Sequence, residues 1–314
     1  MLGRRADELC YLVSKMGRAG ELLQMWYLGQ KDLGQRGSDM IKNWLFIRGM
    51  VREQRHWEEF PSIFEEKFPA ARVYFLDLPG IGTMGHVKSP LDIPSIIEIC
   101  QRRFDQIKEG VSGDWGILGV SLGGMVSLSW MDVVPKQFKL GVVINSSAAS
   151  LSHPLERMQP QTLMRFLKTV FLKDRKKIER VILERTVSAH TDTSEILKRW
   201  AQIAPDPKMV RNLAFRQMLA AGRFVPTGNL SVPLLFIGAK GDRLAHWKCS
   251  LKLSQRYGGS FALHPWGGHD LTLEDPKWCI NKISEWTKKL GISGDSSMRE
   301  IKIQSETSQF GKSA

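Results

Sequence analysis

The chain has 314 residues, of which 42% are hydrophobic and 25% are charged, and this is enough apolar sequence for a large folded core. Its four cysteines form no C-x-x-C pair, which argues against a disulfide framework or a zinc site and predicts a reducing, cytoplasmic location. No run of about 18 apolar residues is present, so the sequence predicts no membrane-spanning helix.

The formal net charge of +13 is typical of proteins that bind nucleic acids. However, the sequence contains no zinc-finger spacing, no aromatic RNA-binding pattern and no glycine-rich phosphate loop followed by lysine. We therefore predict no nucleic-acid partner. The surplus charge then either aids solubility or attracts an acidic substrate, an acidic carrier protein or an anionic lipid surface.

The first part of the chain divides into an N-terminal segment and an alternating region. Residues 1–42 have apolar positions at helical spacing and lack the sustained apolar run of a signal peptide, which predicts a helical segment. From 43 to 150, amphipathic helical patterns alternate with four apolar runs: NWLFIRGM, ARVYFLDLPG, DWGILGVS and FKLGVVINSS. Because these runs are apolar throughout, they predict a mostly parallel sheet with helices on both faces.

The alternation stops at residue 151. Residues 151–228 consist almost entirely of helix-forming sequence, and we expect them to form a helical cap over the carboxyl edge of the sheet. Residues 229–292 return to the core pattern with SVPLLFIGAKGD and GSFALHPWGGHD. Residues 293–314 are polar and rich in small residues, which predicts a disordered tail.

The cap should form the roof of any pocket at the sheet edge. We expect most of its large apolar residues to be its own core and a minority to line an acyl channel; they are Leu163, Met164, Phe166, Leu167, Phe171, Ile196, Trp200, Leu213, Phe215 and Met218. Residues 151–230 hold 15 Lys and Arg against 7 Asp and Glu, and KDRKKIER is the densest basic patch. That patch is either a solvated helix face or a dock for an acidic carrier protein, coenzyme A or anionic lipid. Arg211, Arg216 and Arg223 recur near one helical face, where they can reach a substrate carboxylate.

Ser121 stands in the sequence WGILGVSLGG, at the junction of a predicted strand and a predicted helix. Gly119 and Gly123 remove side chains that would collide where the strand bends into the helix. The free N–H groups and the dipole at the start of that helix favour negative charge. Ser121 is therefore a candidate nucleophile, and the N–H of Leu122 is a candidate oxyanion donor.

A serine nucleophile needs a base and an acid that orients the base. His269 follows a predicted strand in the loop WGGHD, whereas its rival His264 falls at the end of the strand itself and is expected to be packed. Asp242 follows another buried strand in IGAKGD and is the best candidate acid. Asp270 should point elsewhere if His269 points into the site. The order Ser121, Asp242, His269 is the order found in α/β-hydrolases.

With these motifs and the turn DLPGIG, the sequence resembles the α/β-hydrolase superfamily over residues 43–290. Among its subfamilies the chain resembles the capped serine esterases, which include pimeloyl-carrier-protein methyl ester esterases and related carboxylesterases. The resemblance implies a Ser121 nucleophile, a His269 base and an Asp242 orienter. It also implies an oxyanion hole made by the N–H groups of Leu122 and Met50.

The sequence departs from this family at two places. Many relatives have His-Gly where this chain has Arg48-Gly49. Arg48 either changes the charge near the acyl pocket or pairs with a surface carboxylate. The two N-terminal strands usual in the family are also not evident, so we expect either a sheet of about six strands or a helix that covers the missing edge.

The leading hypothesis is a carboxylic-ester hydrolase that works through an acyl-enzyme, with no cofactor and no metal. The alternatives are a thioesterase or acyltransferase acting on an acyl carrier or coenzyme A, and a catalytically silent protein of the same fold that binds a ligand or a partner. The sequence names neither the acyl group nor the alcohol, because a fold does not determine a substrate.

Overall fold

The computed structural model describes residues 41–169, 171–189 and 191–292. The predicted helical segment over 1–42, apart from its last two residues, and the predicted tail over 293–314 lie outside the described residues. The described part contains one six-stranded sheet with the order β2-β1-β3-β4-β5-β6. The strands are β1 (Asn43–Ile47), β2 (Arg72–Phe75), β3 (Trp115–Val120), β4 (Leu140–Ile144), β5 (Leu234–Ala239) and β6 (Ser260–His264).

Every strand pairing in this sheet is parallel, from Asn43 opposite Arg72 at one edge to Ala239 opposite His264 at the other. The four inner strands are buried along their whole length, whereas the edge strands β2 and β6 are half-buried. The inner strands are almost entirely apolar because both faces of the sheet are covered. Parallel pairing also brings the carboxyl ends of all six strands to one edge.

Helices cover both faces of the sheet. They are α1 (Phe60–Lys67), α2 (Ile93–Lys108), α3 (Leu122–Val133), α9 (Lys248–Tyr257), α10 (Leu271–Glu274) and α11 (Pro276–Lys289). The Asp92 carboxylate caps α2 by accepting from the N–H of Ser95, and Asp275 caps α11 in the same way. One apolar cluster contains Phe104, Trp130 and Phe138, and a second cluster on the opposite face contains Phe46 and Phe64.

Five further helices lie between β4 and β5 in the described residues, and we call this region the cap. They are α4 (Pro154–Arg157), α5 (Pro160–Thr169), α6 (Arg175–Thr186), α7 (Ser194–Ile203) and α8 (Pro207–Gly222). A small apolar cluster between α6 and α7 contains Leu183, Leu197 and Trp200. Ala220 of α8 belongs instead to the main core, so the last cap helix rests on the sheet domain.

Throughout the described ranges, no helix is both long enough and apolar enough to cross a membrane.

Candidate active site

Ser121 lies directly after β3 and has a φ of 56°, a value that residues other than glycine rarely adopt. Its N–H donates to the carbonyl of Ile144, and its own carbonyl accepts from the Ser146 hydroxyl. A Cβ on Gly119 would lie 2.4 Å from the Gly123 carbonyl oxygen, and a Cβ on Gly123 would lie 2.3 Å from the Ile47 carbonyl oxygen. The two glycines thus allow β3 to turn into α3 and to present Ser121 at the sheet edge.

His269 and Asp242 form a buried pair at the same edge. His269 Nδ1 lies 2.7 Å from Asp242 Oδ2, and the second oxygen of Asp242 accepts from the N–H groups of Leu244 and Ala245. Burial acts to lower the pKa of His269, but the charge and hydrogen bond of Asp242 outweigh it, so that the pKa is raised above its usual 6.5. The bond to Nδ1 leaves Nε2 as the free nitrogen of the ring.

Ser121 and His269 both line one cavity of about 270 Å³. Within the described part of the chain, the Ser121 hydroxyl makes no hydrogen bond to the imidazole. The hydrogen bond between Asp242 and His269 is therefore formed, whereas the one between His269 and Ser121 is not. Catalytic hydrogen bonds of this kind are often long before a substrate binds.

The candidate oxyanion donors are the N–H groups of Met50 and Leu122. Met50 belongs to the loop after β1, and Leu122 begins α3. In the ranges that the structure covers, neither N–H donates to a protein acceptor. A Cβ on Gly49 would lie 3.1 Å from the Ser121 Cβ, so this loop passes directly beside the serine. The predicted donors are thus both near Ser121 and free to bind an oxyanion.

Gln217, which the sequence analysis did not single out, holds the loop after β1 in place. This side chain of α8 is fully buried, and its Oε1 accepts from the N–H of Val51 at 2.8 Å. Val51 follows Met50 directly and has a φ of 56°. No local signal in the sequence could have identified Gln217, because its partner lies 166 residues away.

Asn145, at the end of β4, was also missed. Its side-chain amide donates to the carbonyls of Gly268 and His269, at 3.1 and 2.9 Å. The residues directly after this strand, Asn145-Ser146-Ser147, include no carboxylate that could orient His269. The amide instead fixes the backbone that carries His269. The rival His264 is buried as expected and accepts from the N–H of Gly267 in the same loop.

The expectation that Arg48 pairs with a surface carboxylate is wrong. Arg48 is buried, its Nη2 lies 2.7 Å from Asp270 Oδ1, and its Nη1 donates to the Thr272 hydroxyl. Burial acts to raise the pKa of Asp270, but the Arg48 guanidinium holds it below its usual value. The expectation that Asp270 points away from the site is also wrong, because Asp270 lines the cavity together with Arg48. Arg48 does lie beside the pocket, as the alternative expectation requires, but Asp270 balances its charge.

The cap forms much of the cavity wall, and the expectation that most of its large apolar residues form its own core is wrong. Five of the ten apolar cap residues line the cavity rather than a minority of them: Leu163, Phe166, Leu167, Phe215 and Met218. Only Ile196, Trp200 and Leu213 belong to apolar clusters, and Met164 and Phe171 are exposed outside the cavity. Among the residues that line the cavity, Leu167, Phe215 and Met218 are also exposed. Apolar side chains of α5 and α8 thus form part of the cavity wall, while the small core of the cap lies between α6 and α7.

No group of three or more His, Cys, Asp or Glu residues is placed to hold a metal ion in the part of the chain that the structure describes.

Known hydrolases are similar to this chain in sequence or in structure. The sequence profile of the family described as serine aminopeptidase, S33, matches residues 69–276. An esterase from Exiguobacterium antarcticum is similar in structure, with a TM-score of 0.65 and 13% identity over 80% of this chain and 93% of the esterase. The 2-hydroxy-6-oxo-6-phenylhexa-2,4-dienoate hydrolase of Rhodococcus sp. strain RHA1 gives a TM-score of 0.63 and 19% identity over 82% of this chain and 92% of that hydrolase.

A thermophilic esterase from Thermogutta terrifontis gives a TM-score of 0.61 and 16% identity, over 81% of this chain and 92% of the esterase. At these identities the likeness establishes the fold, and it confirms the predicted α/β-hydrolase fold. A search of curated proteins found no sequence that matches this chain.

Proposed function

Because the chain belongs to the serine aminopeptidase S33 family of α/β-hydrolases, we propose that it is a serine hydrolase that cleaves carboxylic esters through an acyl-enzyme. Ser121 is the nucleophile, His269 the base and Asp242 the orienter. The N–H groups of Met50 and Leu122 form the oxyanion hole. The observation that carries the proposal is the buried Asp242–His269 pair, whose histidine lines the same cavity as Ser121.

In the first half of the reaction, Ser121 Oγ attacks the ester carbonyl carbon and His269 Nε2 takes the hydroxyl proton. The carbonyl oxygen becomes an oxyanion that the N–H groups of Met50 and Leu122 stabilise. Asp242 stabilises the imidazolium that forms. The carbon–oxygen ester bond then breaks, and His269 returns the proton to the departing alcohol, which leaves the acyl group on Ser121.

In the second half, water takes the place of the alcohol. His269 removes a proton from the water as its oxygen attacks the acyl carbon, and the same two N–H groups stabilise the second oxyanion. The bond to Ser121 Oγ breaks, and His269 gives the proton back to the serine. The carboxylic acid leaves, and the enzyme returns to its starting state.

Hydrolysis of p-nitrophenyl esters from acetate to palmitate tests this proposal. We expect turnover by the wild type and a loss of about a thousandfold or more in kcat for Ser121→Ala. Ser62→Ala is the matched control, because Ser62 is exposed on α1. A wild type that neither hydrolyses any ester nor reacts at Ser121 with a fluorophosphonate would favour a silent binding protein.

A thioesterase or acyltransferase that works on a carrier is the second candidate. It is favoured by the basic start of α6, where Arg175, Lys176 and Lys177 are all exposed. Exposed cations attract an acidic carrier or coenzyme A without a need for a deep site. The same catalytic groups would cleave a thioester, with a thiol as the leaving group.

The proposal includes a cytoplasmic location. Among the described cysteines, Cys100, Cys249 and Cys279 are free and buried, and burial raises the pKa of the Cys100 thiol to about 12. Such thiols are inert and need no oxidising compartment. Fractionation of cells that express the protein with an epitope tag checks this location.

A further inference from the structure

Arg211, on α8, lines the cavity that contains Ser121. Its guanidinium makes one hydrogen bond, from Nη1 to the carbonyl oxygen of Leu172 at 3.4 Å. Within the described ranges of the chain, no carboxylate lies at ion-pair distance from it. Arg211 is therefore a half-buried cation beside a largely apolar cavity, and most of its donors are unused.

The other two arginines at this cavity are neutralised. Arg48 pairs with Asp270 at 2.7 Å, and Arg52 pairs with Glu179 at 3.0 Å. All four of these side chains are buried. Each pair has a net charge near zero, so neither pair would attract an anion into the cavity.

Asp242 does not balance Arg211 either. It does not line the cavity, and its oxygens are bound by His269 and by the N–H groups of Leu244 and Ala245. The positive charge of Arg211 is thus the one cavity-lining charge without a counter-charge in the described residues. Apolar walls strengthen the attraction between such a cation and an incoming anion, because they exclude water from the space between the charges.

Arg211 is also distinct from the other arginines that the sequence grouped with it. Arg216 donates to the Ser89 carbonyl, and Arg223 donates to the Leu91 carbonyl at 3.2 Å. Neither of them lines the cavity that contains Ser121. Of the three candidate arginines, the structure therefore places one at the cavity.

We propose that Arg211 binds a carboxylate carried by the substrate itself. The preferred substrate is then an ester with a second, ionised acid group, separated from the scissile bond by an apolar segment that fits the cavity wall. The planar guanidinium suits a carboxylate because it offers paired N–H donors. This inference rests on the proposed ester hydrolysis and adds a class of substrate to it.

Matched pairs of esters test the inference. Monomethyl adipate and methyl hexanoate differ by a carboxylate on the acyl side, while 6-acetoxyhexanoate and hexyl acetate differ by one on the alcohol side. We expect the wild type to prefer the charged member of one pair by about tenfold or more in kcat/KM. That pair also identifies which side of the ester meets Arg211. Arg211→Met should abolish the preference, and Arg211→Lys should keep part of it.

Arg223→Met is the control, because it removes the same charge from an exposed residue at the end of the same helix and should leave the preference intact. The inference is overturned if the wild type shows no preference in either pair, or if the preference survives in Arg211→Met. Hydrolysis of the neutral esters tests the proposed function separately. Calorimetric binding of monomethyl adipate and 6-acetoxyhexanoate to Ser121→Ala, with and without Arg211→Met, tests the carboxylate site without turnover; equal binding in both proteins would also overturn it.

Discussion

At the scale of single residues, Gln217 is a side chain whose role can be isolated. It is not one of the proposed reacting groups. Its Oε1 accepts a hydrogen bond from the N–H of Val51, the residue after the proposed donor Met50. We expect Gln217→Met to lower kcat about tenfold with little change in KM, because a displaced donor weakens binding of the oxyanion and not of the ester. Steady-state kinetics with p-nitrophenyl butyrate measures both constants.

Gln217→Glu is the informative partner of that variant, because it keeps an oxygen that can accept from Val51. It should retain more of kcat than Gln217→Met does. Similar losses in both variants, or a change confined to KM, would show that Gln217 contributes packing and does not position the donor.

The ionisation of His269 sets the acid side of the pH profile. Burial and, more weakly, the charge of Arg48 lower the pKa of His269. Asp242 and, more weakly, Asp270 raise it, and the net effect is a pKa above 6.5. Since the base must be neutral to accept a proton, kcat/KM should fall as the pH drops through this raised pKa. Asp242→Asn should shift the fall to lower pH and reduce the plateau by about 10⁴. A pH–rate profile that keeps its midpoint in Asp242→Asn would contradict the assignment.

At the scale of elements, an ion pair joins the cap to the sheet domain. Arg52, in the loop after β1, contacts Glu179 of α6 at 3.0 Å, and its guanidinium lies 4.6 Å from the ring of Trp200. Glu179→Gln would leave a buried positive charge without its partner, and we expect a loss of about 3 kcal/mol in the free energy of unfolding. Urea unfolding followed by circular dichroism measures this loss.

The double variant Arg52→Met/Glu179→Leu is the control for that prediction. It removes both charges and replaces them with apolar side chains, so it should be more stable than Glu179→Gln alone. If the two variants were equally destabilised, the charge left behind would not be the cause.

The sequence could predict elements and strand ends, but not contacts between distant parts of the chain. Apolar runs and amphipathic segments are local patterns, so the parallel sheet and the cap could be predicted, and Ser121, His269 and Asp242 could be found at strand ends. Gln217 and Asn145 act on backbone groups more than a hundred residues away, and no local pattern encodes such a partner. The direction of each cap helix's apolar face likewise depends on how the cap packs.

At the scale of the whole molecule, the exposed basic start of α6 raises the question of a partner. If Arg175, Lys176 and Lys177 dock an acidic carrier, changing all three to Glu should lower kcat/KM for carrier-linked esters by about tenfold or more. It should spare small neutral esters, because these residues are exposed and lie outside the catalytic contacts. Kinetics with an acyl-carrier ester and with p-nitrophenyl butyrate separates the two effects.

The matched control changes Arg102, Arg103 and Lys136 to Glu, since all three are exposed on the sheet domain and carry the same total charge. A loss in both triple variants would indicate a general effect of net charge. No loss in either would remove the docking interpretation.

The strained loop after β1 also has a consequence for the order of events in folding. A β-branched residue at the φ of Val51 costs about 1–3 kcal/mol, and it persists only while other contacts hold it. One such contact comes from Gln217, near the end of the cap and 166 residues later in the chain. A sheet domain that has formed before α8 docks can already hold Ser121 at its edge. Its loop after β1, which carries the proposed oxyanion donor Met50, is then still free to relax. The chain should thus reach its full activity only after α8 has docked against this loop.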